Sequence, residues 1–391
     1  MQRVFILILL SYIGLGLQAQ CVSNTEWEQV IPSENLPEEV KIRDANNNLD
    51  LTSFHGKYYM AFRTAPSHFA SKKTKLYILS STDFTTWELE KEIYLESDLR
   101  EPRFYQKDDR LFFMFFKGGT KMFKFEPQGI YNCYLDYQSD TWSDIKQVDI
   151  PLGYVPWRII EHKEVFYLST YDGINEYKID VPSEFRLFSS TDGLIWETIS
   201  TEPQITHERA IAEIELTFDE HDDIWGVARL EFDGSYIVHA SKEDYSKFEF
   251  WHSPYKFDSP ILFTHQGKHY LIARRNLDGP LVHKEGKHKH NLVRYSFKKK
   301  TTALYLLDTE NKSIVHIKDF NSTGDCAFPG ITKINDTDYF VLNYSSNIDK
   351  RKKPWITGQL GKTYIYKSKL TMEDCETFIN SSTGQFVYPF E

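Results

Sequence analysis

Carboxylates and arginines recur at one kind of place in this chain, the ends of short apolar segments rich in aromatic residues. Asp50, Glu101, Glu213, Glu215 and Asp325 stand where such segments begin, with Arg103 and Arg158 beside them. Arg63, Arg229 and Arg274 stand where the segments that follow come to an end. A buried ion without a partner is costly, so each of these must face solvent, an opposite charge or a ligand. In one reading they pair with one another and tie the structure together. In the other they line a pocket for an anionic sugar, because the planar fork of arginine meets a carboxylate with two parallel hydrogen bonds. Cleaving a glycosidic bond needs two carboxyl groups, one protonated as acid and one ionised as base or nucleophile. Glu101 and Glu213 form the first candidate pair, with Asp50 and Asp325 as substitutes. Arg63, Arg103, Arg158, Arg229, Arg274 and Tyr344 are then the substrate-binding candidates. Trp157, Trp225, Phe104 and Tyr344 could stack on sugar faces, although packing is the usual role of such residues. His68 and His207 fall in loops beside the same segments.

The elements that must position these groups repeat. An extended run, a tight polar turn and a second run dense in aromatic and β-branched residues recur six times, with turn markers Gly56, Asp108, Lys163, Asp222, Gly267 and Asp336. The markers are 45 to 69 residues apart, about the length of a four-stranded propeller blade with its loops. Aromatic residues make up 15% of the chain, which suits strands packed on pleated surfaces. No stretch carries the periodicity of a long amphipathic helix. The reading is an all-β fold, a six-bladed β-propeller over residues 45–391, preceded by an N-terminal segment over 21–44.

The net charge of −10 argues against nucleic acid or an anionic membrane as the main partner. Residues 1–20 read as a secretory signal peptide, with an early arginine, an apolar run from Val4 to Leu17 and a small residue near its end. That run is short for a transmembrane helix, and no later segment spans a membrane. The location expected is secreted or periplasmic, with lipid anchoring at Cys21 as the alternative. Four cysteines match no metal motif, and Cys326 with Cys375 is the one bridge suggested. The tract His283 to His290 reads as a solvated basic loop rather than a metal site. No cofactor and no metal are implied.

Ser81-Thr82-Asp83-Phe84-Thr85-Thr86-Trp87 and Ser190-Thr191-Asp192-Gly193-Leu194-Ile195-Trp196 share one pattern, which Ser241-Lys242-Glu243-Asp244 follows in part. In it, Ser and Asp cap backbone amides of a turn while Trp packs between strands. These segments resemble the Asp-box turns of sialidase-type propellers, and residues 45 to 370 resemble the sialidase superfamily. The resemblance implies a six-bladed propeller with an arginine triad gripping a substrate carboxylate, a Tyr–Glu nucleophile pair and an Asp acid/base. Glu213 followed by Arg229 looks like the family's Glu and second arginine, and Arg274 like the third. Arg63 is the candidate for the first, without the family's Arg-Ile-Pro signature. Where the family has its tyrosine this chain has Phe328, which carries no hydroxyl. Tyr344 on a second strand is the substitute, or the mechanism uses carboxylates alone. Arg100-Glu101-Pro102-Arg103 also resembles segments of five-bladed glycosidases, an alternative fold that the count of six units opposes. The function implied is a sialidase-like exo-glycoside hydrolase acting on an acidic, carboxylated sugar terminus of a glycan. A non-catalytic carbohydrate-binding propeller is the alternative. A structural or protein-interaction propeller would have every axial arginine paired internally.

Overall fold

A computed structural model describes residues 22–122, 124–178, 181–208, 210–280, 287–373 and 387–390. The segment read as an export signal, Cys21 and Cys375 lie outside them. Six antiparallel sheets of four or five strands make up the chain. Their innermost strands are Ala45–Phe54, Leu99–Lys107, Tyr154–His162, Ile211–Phe218, Asp258–His265 and Cys326–Lys333. Each touches the next, and the sixth touches the first, so the ring closes with six blades rather than five. At the seam the contact is close. A Cβ added to Gly330 would lie 2.8 Å from Leu51 Cβ and 3.0 Å from the Leu51 amide nitrogen.

All six turns expected from the sequence join a first strand to a second. The second strands read as apolar runs because both of their faces are covered. In the second blade, Leu111, Phe113 and Phe115 pack against Tyr59, Ala61, Leu76 and Ile78 of the first blade. Phe112 and Met114 face the other way, onto Phe166, Leu168 and Trp196 of the third. Alternation by two residues thus fills two inter-blade cores at once. Phe113→Ala, at a side chain with no exposure, is expected to cost about 3–5 kcal/mol, read from denaturant unfolding.

Val22–Asn24 and Glu28–Ile31 pair with Tyr364–Met372 and complete the sixth sheet. The propeller therefore takes in residues that the sequence placed ahead of it. Val387–Pro389 similarly adds to the outer edge of the fifth sheet. The two Ser-x-Asp segments form tight turns. Asp83 Oδ1 accepts from the amides of Thr85 and Thr86 at 2.7 and 2.8 Å, Asp192 Oδ1 from those of Leu194 and Ile195 at 2.8 Å, and Trp87 and Trp196 are buried. The basic tract, which lies within the fifth blade between its second and third strands, is not all loop, since its end opens the helix His288–Ser296. A second short helix, Trp355–Gln359, lies in the sixth blade's long connection. Cys326 is a buried free thiol.

What positions the site is a defect shared by all six inner strands. In each, the ladder to the second strand slips by one residue near the strand's start, between Asn47 and Leu49, Arg100 and Arg103, Pro156 and Ile159, Ala212 and Ile214, Asp258 and Ile261, and Ala327 and Gly330. Such a bulge re-aims the side chain it carries. In five of the six the bulged residue has a left-handed backbone, at Asn48 (φ 42°), Glu101 (51°), Glu213 (48°), Ser259 (50°) and Phe328 (55°). Non-glycine residues held there cost about 1–3 kcal/mol each and cluster at binding and catalytic sites. Pro102, Pro260 and Pro329 follow three of them, and a proline, having no amide to donate, is tolerated where pairing is already broken.

Candidate functional site

The five left-handed residues converge on one cavity at the end of the axis, and all of them line it. Of the residues expected from the sequence, Glu101, Glu213, Arg229, Arg274 and Tyr344 share that cavity. Glu101 accepts from Asn48 Nδ2 (3.1 Å) and Arg103 Nη2 (3.1 Å). Burial pushes its carboxyl up to about 7, with Arg103 opposing and Glu213 adding to the rise. Glu213 accepts from the Ser259 amide (2.7 Å) and pairs with Arg229 Nη1 (2.8 Å). Burial raises Glu213 too, while Arg229 works to keep it ionised.

Arg229 sits among four carboxyl groups. Besides Glu213 it meets Glu176 at 2.9 Å, Glu231, and Asp258 at 3.9 Å. Arg274 approaches Asp258 (3.3 Å), donates to the Cys326 carbonyl (2.8 Å) and lies over the Trp355 ring. Against the burial that would raise it, Lys256, Arg229 and Arg274 hold Asp258 down to about 2. Tyr344 donates its hydroxyl to Asp325 Oδ1 (3.0 Å) and comes within 3.4 Å of Arg274 Nη2.

Of the other sequence candidates, His68 also lines the cavity and the rest do not. Arg63 has no exposure and is held by Asp98 (2.7 Å), Asn47 and the carbonyls of Ser67 and Phe69. Arg103 packs its guanidinium over the rings of both Trp157 and Phe328, which also touch each other edge to face. Arg158 binds Asp50 (2.8 Å) and Glu215 (3.2 Å), and Asp50 also accepts from the Phe104 amide. Asp325 has no exposure and is held by His68, Tyr344 and Trp355. For Arg63, Arg103, Arg158, Asp50 and Asp325 the placement therefore corrects a direct role at the cavity: each is spent on a protein partner. Trp157 and Phe104 are core residues. Trp225, 8% exposed, packs in the core between the fourth and fifth blades. His207 lies against Tyr236.

Four groups escaped the sequence reading. Arg100, anchored on Asp98 (2.5 Å) and the His68 carbonyl (2.6 Å), reaches the cavity in place of Arg63. Glu176 arrives on the loop after Val165–Asp172, whose turn is capped by Asp172 on the amides of Ile174 and Asn175. Glu231 follows the strand of Arg229, and Trp355 comes from the short helix. The only sequence signal for any of them was the proximity of Arg100 to Glu101. Among the described residues, no group of three or more His, Cys, Asp or Glu could hold a metal ion.

The raised carboxyls have a consequence for stability. Burial pushes Glu176 up to about 8 and Glu215 up to about 7, alongside Glu101. A carboxyl whose folded pKa exceeds its unfolded value binds protons better in the folded state, so its contribution is lost as pH climbs from about 4.5 to 8. The depressed Asp258 acts oppositely, losing its contribution as pH falls from about 4 toward 2. The unfolding midpoint is expected to be highest near pH 5, to fall up to about pH 8 and to level off above it. Thermal melts across that range check it, with a shallower decline expected for Glu215→Gln.

Solved structures share this architecture. A crystal structure of a protein of unknown function from Dyadobacter fermentans matches with a TM-score of 0.66 at 13% identity, over 90% of this chain and 100% of that one. Trypanosoma rangeli sialidase matches with a TM-score of 0.61 at 11% identity, over 90% of this chain and 60% of that one. The same sialidase in complex with sialic acid gives 0.61 at 11%. This chain thus spans about three fifths of the trypanosomal protein. At such identities the likeness establishes the fold, a sialidase-like six-bladed β-propeller. No protein-family model matches the sequence, and neither does any curated protein.

Proposed function

We propose that the axial cavity belongs to a glycoside hydrolase acting on an acidic, carboxylated sugar at the terminus of a glycan. The observation that carries this reading is the pair of bulges in the second and fourth blades, which turn Glu101 and Glu213 into one cavity beside Arg100, Arg229 and Arg274. Glu101, neutral up to about pH 7, protonates the leaving oxygen. Glu213, whose ionised form Arg229 and the Ser259 amide favour against its burial, serves the anomeric centre as nucleophile or through water. Arg274 and Arg100, each with cavity-facing surface, are the groups that meet the substrate carboxylate. Arg229, ringed by four carboxyl groups, orients Glu213 instead. Phe328 supplies no hydroxyl, so the chemistry rests on carboxyl groups, with Tyr344 at the cavity and Asp325 behind it as that tyrosine's partner. The export signal read at the N-terminus would place the enzyme in a secreted or periplasmic setting, where glycans are met.

The test is hydrolysis of a panel of acidic oligosaccharides by the wild type and Glu213→Gln. The wild type is expected to release the terminal sugar, and the variant to be slower by at least about 100-fold. Absence of turnover by the wild type on every member removes the enzyme reading. The second reading, a carbohydrate-binding propeller without catalysis, is favoured by Phe328. It predicts calorimetric binding with no turnover, and no effect of Glu101→Gln.

A further inference from the structure

Glu176 has one oxygen that the protein uses and one that it does not. Oε1 accepts from Arg229 Nη2 at 2.9 Å. Oε2 is buried, belongs to a residue 2% exposed, and has no hydrogen-bond partner. A buried polar atom left unpaired in a cavity wall calls for a partner from the cavity's occupant. The groups facing Glu176 are Arg229 and Glu231 on the fourth blade's second strand and its extension, Glu213 on that blade's inner strand, Tyr171 on the strand before its loop, and Tyr177 on the loop itself, whose side chain favours the ionised form. One guanidinium shared among Glu176, Glu213 and Glu231 cannot neutralise all three. Glu176, the most deeply buried of them, is accordingly pushed up to about 8, with burial the largest cause. Since Oε1 accepts from Arg229, the proton belongs on Oε2, the unpartnered atom.

We infer that Glu176 sets ligand specificity as a neutral acid whose Oε2–H donates to an acceptor-only oxygen of the bound sugar, a carboxylate or an amide carbonyl. This rests on the reading of the cavity as a sugar site and names what one wall of it selects. The choice between ligand groups follows from hydrogen-bond capacity. A sugar hydroxyl accepts from the protonated acid and donates equally well to the ionised one, so it would bind on both sides of the titration. A carboxylate or carbonyl has no proton to give. Once Glu176 ionises, it meets a second acceptor, or a like charge, and is rejected.

The experiment is calorimetric titration of the full chain with sialic acid and with glucuronic acid from pH 6 to 9.5. Glu176→Gln keeps a carbonyl for Arg229 and an NH2 donor for the ligand, and so mimics the neutral acid at every pH. Glu176→Leu removes the donor. For the wild type, Kd is expected to rise by about tenfold per pH unit above about 8. Glu176→Gln is expected to lack that rise, and Glu176→Leu to bind weakly at every pH. Binding by the wild type that is flat across pH 8, or a rise that persists in Glu176→Gln, overturns the role of Glu176 and leaves the sugar site standing. Failure of both probes to bind at any pH overturns the acidic-sugar reading and this inference with it.

Discussion

Arg158→Ala is expected to destabilise the propeller by about 3–5 kcal/mol, the range for removing one partner from a buried ionic cluster. Arg158 projects from the third blade into the axis below the cavity. It meets Asp50 of the first blade at 2.8 Å, Glu215 of the fourth at 3.2 Å and the Pro329 carbonyl of the sixth at 3.1 Å. One side chain thus joins four of the six blades, which the apolar cluster around Leu49, Trp157, Ile214 and Phe328 also links. Its removal leaves two carboxyls facing each other in a site where burial already pushes Glu215 up to about 7. The loss should therefore deepen with pH, being smaller at pH 5, where Glu215 is protonated, than at pH 8. Urea unfolding at the two values reads this. Replacing Arg158, Asp50 and Glu215 together with apolar residues of similar volume is expected to recover much of the loss, because no unpaired charge then remains. Equal deficits at pH 5 and pH 8 would show that Arg158 acts by packing alone.

That cluster also explains how far the site could be read in advance. The fold was legible because each blade announces itself locally, by an apolar second strand after a tight turn, and every hairpin falls where the turn residues place it. The site was half legible, and the bulges account for the difference. In a regular strand, residues 101 and 103 share a face, as do 213 and 215, and as do 48 and 50. The one-residue slip breaks that alternation where it matters. Arg100 and Glu101 both reach the cavity while Arg103 turns back onto Trp157 and Phe328. Glu213 enters while Glu215 drops to the layer of Arg158, and Asn48 enters while Asp50 does not. Pro102, Pro260 and Pro329, the third or fourth residues of their inner strands and each directly after a bulged one, are the trace the slip leaves in the sequence. Glu176 and Trp355 come from a loop and a short helix inserted between strands, where no period exists to assign a direction.

Glu101→Gln is expected to lower kcat by about 10²–10⁴-fold and to change the shape of the pH profile as well as its height. In the wild type, kcat/KM should fall on the alkaline side with an apparent pKa near 7, as Glu101 loses the proton it must donate. It should fall on the acid side as Glu213 gains one. The alkaline limb follows from burial, which raises Glu101, and from Glu213 across the cavity, which raises it further, against the pull of Arg103. Glutamine has the same shape, accepts from Asn48 and cannot titrate, so the residual activity should keep the acid limb and lose the alkaline one. Substrates whose leaving group needs no protonation, such as nitrophenyl glycosides, should recover most of the lost rate in the variant while natural linkages do not. That contrast separates proton donation from a general loosening of the wall, because a loosened cavity would slow both substrates and raise KM for each. An alkaline limb near pH 7 that survives in Glu101→Gln would pass the acid's role to another cavity carboxyl. Glu176, higher by about one pH unit, would then have to yield its donor role in binding to one in catalysis.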